Sequence, residues 1–236
     1  MKRQLIIAID GPSGVGKSTL SRRLAQRLQY VNIDTGAMYR SVALAARRAG
    51  IALDDPKALE RLCMDLDIRF VRNNGAEKVL LDGEDVSEAI RTPEISLLSS
   101  KVSAQPVVRS AMVRLQRQMG ENGGVVLEGR DIGTVVFPAA EVKFFLAATA
   151  RERGRRRYLE LREKGLDVDL ERTIAEVETR DAADCGRQHA PLRQAEDAVL
   201  IDTTRLNIDQ VLERMLRVVA ERQSRQSQNL KEDRVS

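Results

Sequence analysis

Gly11-Pro12-Ser13-Gly14-Val15-Gly16-Lys17-Ser18-Thr19 stands between an apolar run, Leu5-Ile6-Ile7-Ala8-Ile9, and an amphipathic stretch from Leu20 to Leu28. The run has the length of a buried strand, and the stretch after it has helical spacing. Strand, glycine-rich loop, helix is the context in which G-x-x-x-x-G-K-[ST] forms a phosphate-binding P-loop. Its glycines reach backbone angles closed to other residues, so successive N–H groups can point into one concavity. A helix starting near Lys17 adds the partial positive charge of its N-terminus. The nine residues Gly11 to Thr19 are therefore assigned to a nucleoside triphosphate. Lys17 is placed to reach the β- and γ-phosphates, and the Ser18 hydroxyl to ligate Mg²⁺.

The bulk composition narrows the partners. Of 236 residues 42% are hydrophobic, enough for a sizeable core, but only 3% are aromatic and none is Trp, so that core must be aliphatic. The net charge of +4 is the difference of 39 Lys+Arg and 35 Asp+Glu, a mixed surface rather than a uniformly basic one. The basic excess is largely arginine beside motifs, and aromatic stacking residues are scarce, so no nucleic-acid partner is expected. Cys63 and Cys185 are far apart and form no C-x-x-C pair, which argues against a disulfide framework or a zinc site and for a reducing cytoplasm. The apolar run behind Met1-Lys2-Arg3-Gln4 is too short for a signal peptide, and no stretch approaches the roughly 20 apolar residues that span a bilayer. A soluble cytoplasmic protein is expected.

Apolar runs alternate with helical periodicities along the chain, the pattern of a parallel sheet wrapped by helices. Val31-Asn32-Ile33 reads as a second strand, followed by a helix that ends near Gly50. Asp54-Asp55-Pro56 starts another helix running to about Leu66, an aspartate capping it and the proline in its first turn. Between Asp67 and Glu94 the pattern changes to short strands and tight turns: Ile68 to Val71, Asn73-Asn74-Gly75, Val79 to Leu81, and a segment at Val86. That hairpin cluster reads as an inserted subdomain. Thr92-Pro93-Glu94 returns the chain to helix, and a further helix spans Pro106 to Met119. Val125-Val126-Leu127, Val142 to Leu146 and Ala198 to Asp202 supply the third, fourth and fifth strands of the main sheet. Two charged helical arms, about 150–164 and 170–184, lie between the last two, and a helix over 208–222 closes the fold. The stretch from Ser224 is polar and aperiodic, read as a disordered tail over 223–236.

Ligands of open parallel sheets sit beyond the carboxyl ends of the strands. Three loops there carry chemistry: the P-loop, Asp34 to Arg40, and Gly129 to Thr134. Arg40 and Arg130 can hold a second phosphate bidentately and spread charge during its transfer. Asp34 and Asp131 each fit three roles: orienting a hydroxyl or base, holding Mg²⁺ through water, or capping a helix. An anionic acceptor needs only alignment and charge neutralisation, whereas a hydroxyl acceptor needs a base, for which Asp34 is the candidate. Arg151, Arg153, Arg155, Arg156 and Arg157, with Arg180 and Arg187 on the second arm, form either a solvated face or a mobile lid that excludes water. His189, the single histidine, sits in an irregular segment and is given no catalytic role. A nucleotide-sensing module without transfer activity is the reading from another class.

Five strings, IDGPSGVGKST at 9–19, DTGAMYR at 34–40, DGEDVSEAIRTPEIS at 82–96, EGRDIGTVVFP at 128–138 and RDAADCGR at 180–187, resemble the bacterial cytidylate kinase family over about residues 3–222. That resemblance implies an α/β, adenylate-kinase-like P-loop fold: a five-stranded parallel sheet flanked by helices, a small antiparallel β insertion and a short helical lid. It implies a kinase core over 1–66 and 95–222 with the lid at about 150–187, and an insertion at 67–94 serving the monophosphate. The implied activity is ATP-dependent phosphorylation of CMP and dCMP with Mg²⁺, by a monomer. Thr35, Arg40, Ser100, Arg109, Arg130, Asp131, Asp184 and Arg187 are implied around CMP. Of these, Ser100, Arg109 and Arg130 are implied at the base, Arg40 at the acceptor phosphate, and Asp184 at the sugar hydroxyls. Arg153, Arg157 and Arg180 are implied lid arginines facing ATP, catalytic together with Lys17, Arg40 and Arg130. The chain departs from the family pattern with Thr35 for a common serine, Glu128 for a common aspartate, and the uncharged pair Cys185-Gly186.

Overall fold

The computed structural model describes residues 4–73, 76–187 and 190–232. Asn74 and Gly75 of the turn expected at Asn73-Asn74-Gly75, His189 and the last four residues lie outside them. The elements follow the order read from the sequence. In chain order they are β1 (Ile6–Asp10), α1 (Lys17–Leu28), β2 (Val31–Asp34), α2 (Thr35–Arg48), α3 (Pro56–Asp65), β3 (Ile68–Asn73), β4 (Ala76–Leu81) and β5 (Glu84–Asp85). Then come α4 (Pro93–Val102), α5 (Pro106–Gly120), β6 (Val125–Gly129), β7 (Val142–Ala147), α6 (Ala150–Glu163), α7 (Leu170–Cys185), β8 (Val199–Asp202) and α8 (Ile208–Glu232). Two compact units divide the chain, one of Met1–Val31 with Asn122–Ser236 and one of Asn32–Glu121.

The main sheet has five strands in the order β2-β6-β1-β7-β8. β1 pairs in parallel with β6 on one side and β7 on the other, and β7 with β8. A strand flanked on both sides and covered on both faces is largely apolar, and every residue of β1 and β6 is buried, with a carboxylate near the carboxyl end of each, Asp10 and Glu128. Ile7, Ile9, Phe144 and Leu146 pack against Leu20 and Leu24 of α1 and Met215 of α8 in one aliphatic core. Asp10 stands opposite Gly129 on β6 and Phe145 on β7. The P-loop, the loop at Arg130 and the start of α6 therefore leave the same edge of the sheet. Gly11 has φ 149°, and a Cβ there would lie 2.3 Å from the Leu146 carbonyl oxygen, so the loop can leave β1 only through a residue without a side chain.

The two charged arms are α6 and α7, an antiparallel pair. Thr149 Oγ1 caps α6 on the Glu152 N–H at 3.3 Å, and Asp169 caps α7 on the Arg172 N–H at 2.8 Å. They come close at Gly154, where a Cβ would fall 2.4 Å from Ile174 Cγ1 and 2.8 Å from Ile174 Cα. The closing helix runs on to Glu232, past the expected end at Arg222. No Gly or Pro stands between Ile208 and Glu232 to stop it, and the polar residues there are mostly adequate helix formers.

The second unit holds the small antiparallel sheet, β3-β4-β5, with Ile68 opposite Leu81. It is wider than 67–94, because the apolar sides of α2 to α5 belong to the same unit and bury Val42, Leu59, Ile95 and Met112. Its helices begin as their sequences dictate. Asp55 caps α3 and Thr92 caps α4, each followed by a proline in the first turn.

Candidate active site

At the head of β1 the buried Lys17 begins α1, preceded by Gly16 in the left-handed region at φ 96°. Its Nζ donates to the Pro12 carbonyl at 2.7 Å, which holds the ammonium across the loop. Burial pushes the Lys17 pKa well below its ordinary value and the Arg130 charge adds to that, while Glu128 and Asp10 push back. Glu128, at the end of β6, and Asp131 are buried as well. Lys17, Arg130, Glu128 and Asp10 thus form one electrostatically coupled group at the strand ends. Ser18 lies exposed on the first turn of α1.

Arg130 does not float at the mouth of this group. Its Nε donates to Asp184 Oδ2 at 2.8 Å, and Arg187 Nη2 reaches Asp184 Oδ1 at 2.6 Å. The Asp184 side chain is 3% exposed. Burial raises its pKa, but the charge and hydrogen bond of Arg130, with Arg187 and Arg180, outweigh this and hold it below the ordinary value. Arg180, Asp184 and Arg187 are spaced i, i+4, i+7, one face of α7 running into its cap. Arg180 is itself exposed, and its charge acts on both Lys17 and Asp184.

The two other arginines implied as lid residues point elsewhere. Arg157 is paired with Glu160 at 2.9 Å and is 42% exposed on α6. Arg153 is buried, with all three guanidinium nitrogens engaged away from the Lys17 group. In the second unit Asp34 does two jobs. Its Oδ1 caps α2 on the Ala37 N–H, and its Oδ2 holds Arg40 Nη2, each at 2.9 Å. The capping role read for Asp34 is therefore met, and the same carboxylate aims Arg40. Thr35 is buried beside it. Arg109 lies over the Tyr39 ring, 5.9 Å from its centroid, and donates to the Ser103 carbonyl at 3.3 Å. Ser103 Oγ in turn donates to the carbonyl of the exposed Ser100 at 3.0 Å.

The chain matches the family model for cytidylate kinase over residues 7–221. It belongs to the cytidylate kinase family. A protein of Syntrophotalea carbinolica named cytidylate kinase is 83% identical over 223 residues, 94% of this chain and 95% of the relative. One of Geobacter sulfurreducens with the same name is 63% identical over 222 residues, with the same two shares, 94% and 95%. Among solved structures, an uncharacterized protein from Eubacterium ventriosum shares the fold with a TM-score of 0.52 at 10% identity, over 92% of this chain and 99% of that one. Among the described residues no helix is long and apolar enough to cross a membrane.

Asp10, at the end of β1, belongs to the site although no phosphate-binding motif position marks it. Its Oδ1 and Oδ2 accept the N–H groups of Ile132 and Gly133 at 2.8 and 2.7 Å. Those amides open a single π-helical turn, Ile132–Val136, in which Val135 and Val136 both donate to the Asp131 carbonyl. Asp10 thereby fixes the segment that carries Arg130 and Asp131. A carboxylate ending an apolar run was the signal available. Burial pushes its pKa from 3.8 up to about 6, against the pull of the two N–H groups; Asp131 raises it further and Lys17 lowers it. The folded protein therefore keeps this proton to a higher pH than the unfolded chain, and stability falls as pH rises from 3.8 to about 6. The stability advantage of the wild type over Asp10→Asn, read from urea midpoints, should shrink by up to about 3 kcal/mol between about pH 4 and about pH 7. A constant or widening gap would contradict this.

Among the described residues no three His, Cys, Asp or Glu side chains are grouped as a metal site. The exposed Ser18 hydroxyl on the first turn of α1 is nonetheless an oxygen donor of the kind Mg²⁺ takes, and that ion needs only one or two protein ligands when phosphates and water supply the rest.

Proposed function

We propose that this protein transfers the terminal phosphoryl group of ATP to the phosphate of CMP or dCMP, giving ADP and CDP or dCDP. The observation that carries the reading is the coupling of Lys17 to Arg130, which Asp184 holds beside Arg187. A donor-phosphate lysine and two oriented arginines in one buried field are what transfer between two phosphates requires. The two relatives named cytidylate kinase supply the acceptor's identity.

An oxygen of the CMP phosphate attacks the γ-phosphorus in line with the bond to the β-phosphate oxygen. That bond breaks, its electrons leave with ADP, and no proton has to be removed from the acceptor. Residues Gly11 to Thr19 cradle the triphosphate, with Lys17 at the β- and γ-phosphates. Ser18 is the residue whose hydroxyl would hold Mg²⁺, which would supply charge neutralisation on the phosphates. Arg40, aimed by Asp34, meets the acceptor phosphate. Thr35, Ser100, Arg109, Arg130, Asp131, Asp184 and Arg187 are the further CMP-contacting residues of this reading. Arg180 supplies charge from the lid, joined by Arg157 when its exposed pair with Glu160 opens. The engagement of both Asp34 oxygens supports an anionic acceptor over a hydroxyl that would need this carboxylate as a base.

In a coupled assay with ATP, purified protein should phosphorylate CMP and dCMP, with UMP and AMP much poorer acceptors. Comparable rates on all four would end the specificity claim. An absence of transfer to any of them would favour a sensing module.

A further inference from the structure

A P-loop turns its N–H groups inward, so its carbonyls point outward and need donors of their own. At Ser13 the donor is Arg153. Its Nη1 meets the Ser13 carbonyl at 3.1 Å and its Nε the Ala148 carbonyl, just past β7, at 2.9 Å. Nη2 pairs with Asp181 Oδ2 of α7 at 2.5 Å. The Arg153 side chain is 6% exposed. The approach is close along the backbone too, since a Cβ on Gly14 would sit 3.2 Å from Arg153 Cβ. The next outward carbonyl, Val15, accepts from Thr203 Oγ1 at 3.4 Å. Thr203 is gripped by Arg156, Nη1 on its hydroxyl at 3.2 Å and Nη2 on its carbonyl at 2.7 Å.

We infer that Arg153 is a positioning residue of the donor loop, bracing the P-loop from behind and tying its shape to the place of α7, rather than a lid arginine that faces ATP. This rests on ATP as the donor. All three guanidinium nitrogens are engaged, so turning the side chain toward a nucleotide would release the Ser13 and Ala148 carbonyls and strand a largely buried Asp181. Asp181 Oδ1 is already buried without a hydrogen-bond partner, so the carboxylate depends on Arg153. A planar guanidinium with a donor on each of three nitrogens is what three partners in different directions demand, and lysine cannot supply it.

The test separates bracing from contact with the nucleotide by using a ligand that has no nucleoside. Binding of inorganic tripolyphosphate, ADP and CMP is measured by calorimetry for the wild type, Arg153→Lys and Asp181→Asn. Steady-state constants and melting temperatures are measured alongside. Arg153→Lys should weaken tripolyphosphate and ADP by the same factor, about tenfold, and raise the ATP KM similarly. CMP binding should change by less than about twofold. Asp181→Asn, whose side chain meets no ligand, should shift the donor constants in the same direction. Loss of ADP affinity with tripolyphosphate unchanged would assign Arg153 to the nucleoside and overturn the inference. So would a fall in kcat with both donor constants unchanged, which marks contact with the travelling phosphoryl group. If Arg153→Lys does not fold, Asp181→Asn decides alone: unaltered tripolyphosphate binding then overturns bracing. Tripolyphosphate binding needs no acceptor, so a wild type that fails to phosphorylate CMP would defeat the proposed function without touching this result.

Discussion

Lys17→Met is expected to lower kcat by about 10³-fold while raising the ATP KM far less. Methionine keeps the length and bulk of the side chain, so the loss reports the missing charge rather than a cavity. In the proposed reaction that charge matters most when negative charge shifts from the γ-phosphate to the leaving β-oxygen. An ammonium already desolvated and held on the Pro12 carbonyl needs little reorganisation to meet it. The fold should survive. Burial penalises the charged form more than Glu128 and Asp10 favour it, which is why the Lys17 pKa is lowered. Removing the charge therefore relieves a strain on the folded state. Steady-state kinetics with a melting curve checks both halves, and a kcat within about tenfold of the wild type would refute the assigned role.

The sequence pattern located every strand of the main sheet: β1, β6 and β7, inside it, as apolar runs, and the edge strands β2 and β8 as shorter ones, partly exposed. It also located the helix starts at Asp54-Asp55-Pro56 and Thr92-Pro93-Glu94, where local chemistry decides the outcome, and the P-loop, whose glycines and lysine have no other common use at that spacing. It failed where the deciding neighbour is distant in sequence. Arg153 looks like its neighbours Arg151, Arg155 and Arg157, and only the passage of Ser13 and Asp181 beside it makes it an inward-facing brace. Asp10 looks like the polar start of a loop until Ile132 and Gly133 bring their N–H groups to it. The π-turn at Ile132–Val136 leaves no periodicity in so short an apolar stretch. The run-on of α8 past Arg222 shows the converse: polarity without Gly or Pro marks solvent exposure as readily as disorder.

Asp184 shows what that distant pairing is worth. Arg130 follows β6 and Arg187 follows α7, 57 residues later in the chain, yet one buried carboxylate holds both. Asp184→Ala should cost about 3–5 kcal/mol of stability, since it leaves two largely buried guanidinium groups facing each other uncompensated. Asp184→Asn keeps the shape and one acceptor, and is the variant for kinetics. Its CMP KM should rise about 10–100-fold, the range for a lost hydrogen bond to a charged group, with the ATP KM nearly unchanged. The pH dependence follows from the lowered pKa. A carboxyl held below its ordinary 3.8 stabilises the fold above that value, and the contribution disappears as pH falls through the folded value. The wild type should therefore lose its advantage over Asp184→Asn on acidification below about pH 4, the reverse of the Asp10 trend. Urea midpoints across that range and CMP saturation curves at neutral pH give the two readouts. A variant with normal CMP saturation would show that the arginines are aimed by something other than Asp184, and the acceptor assignment of Arg130 and Arg187 would lose its footing.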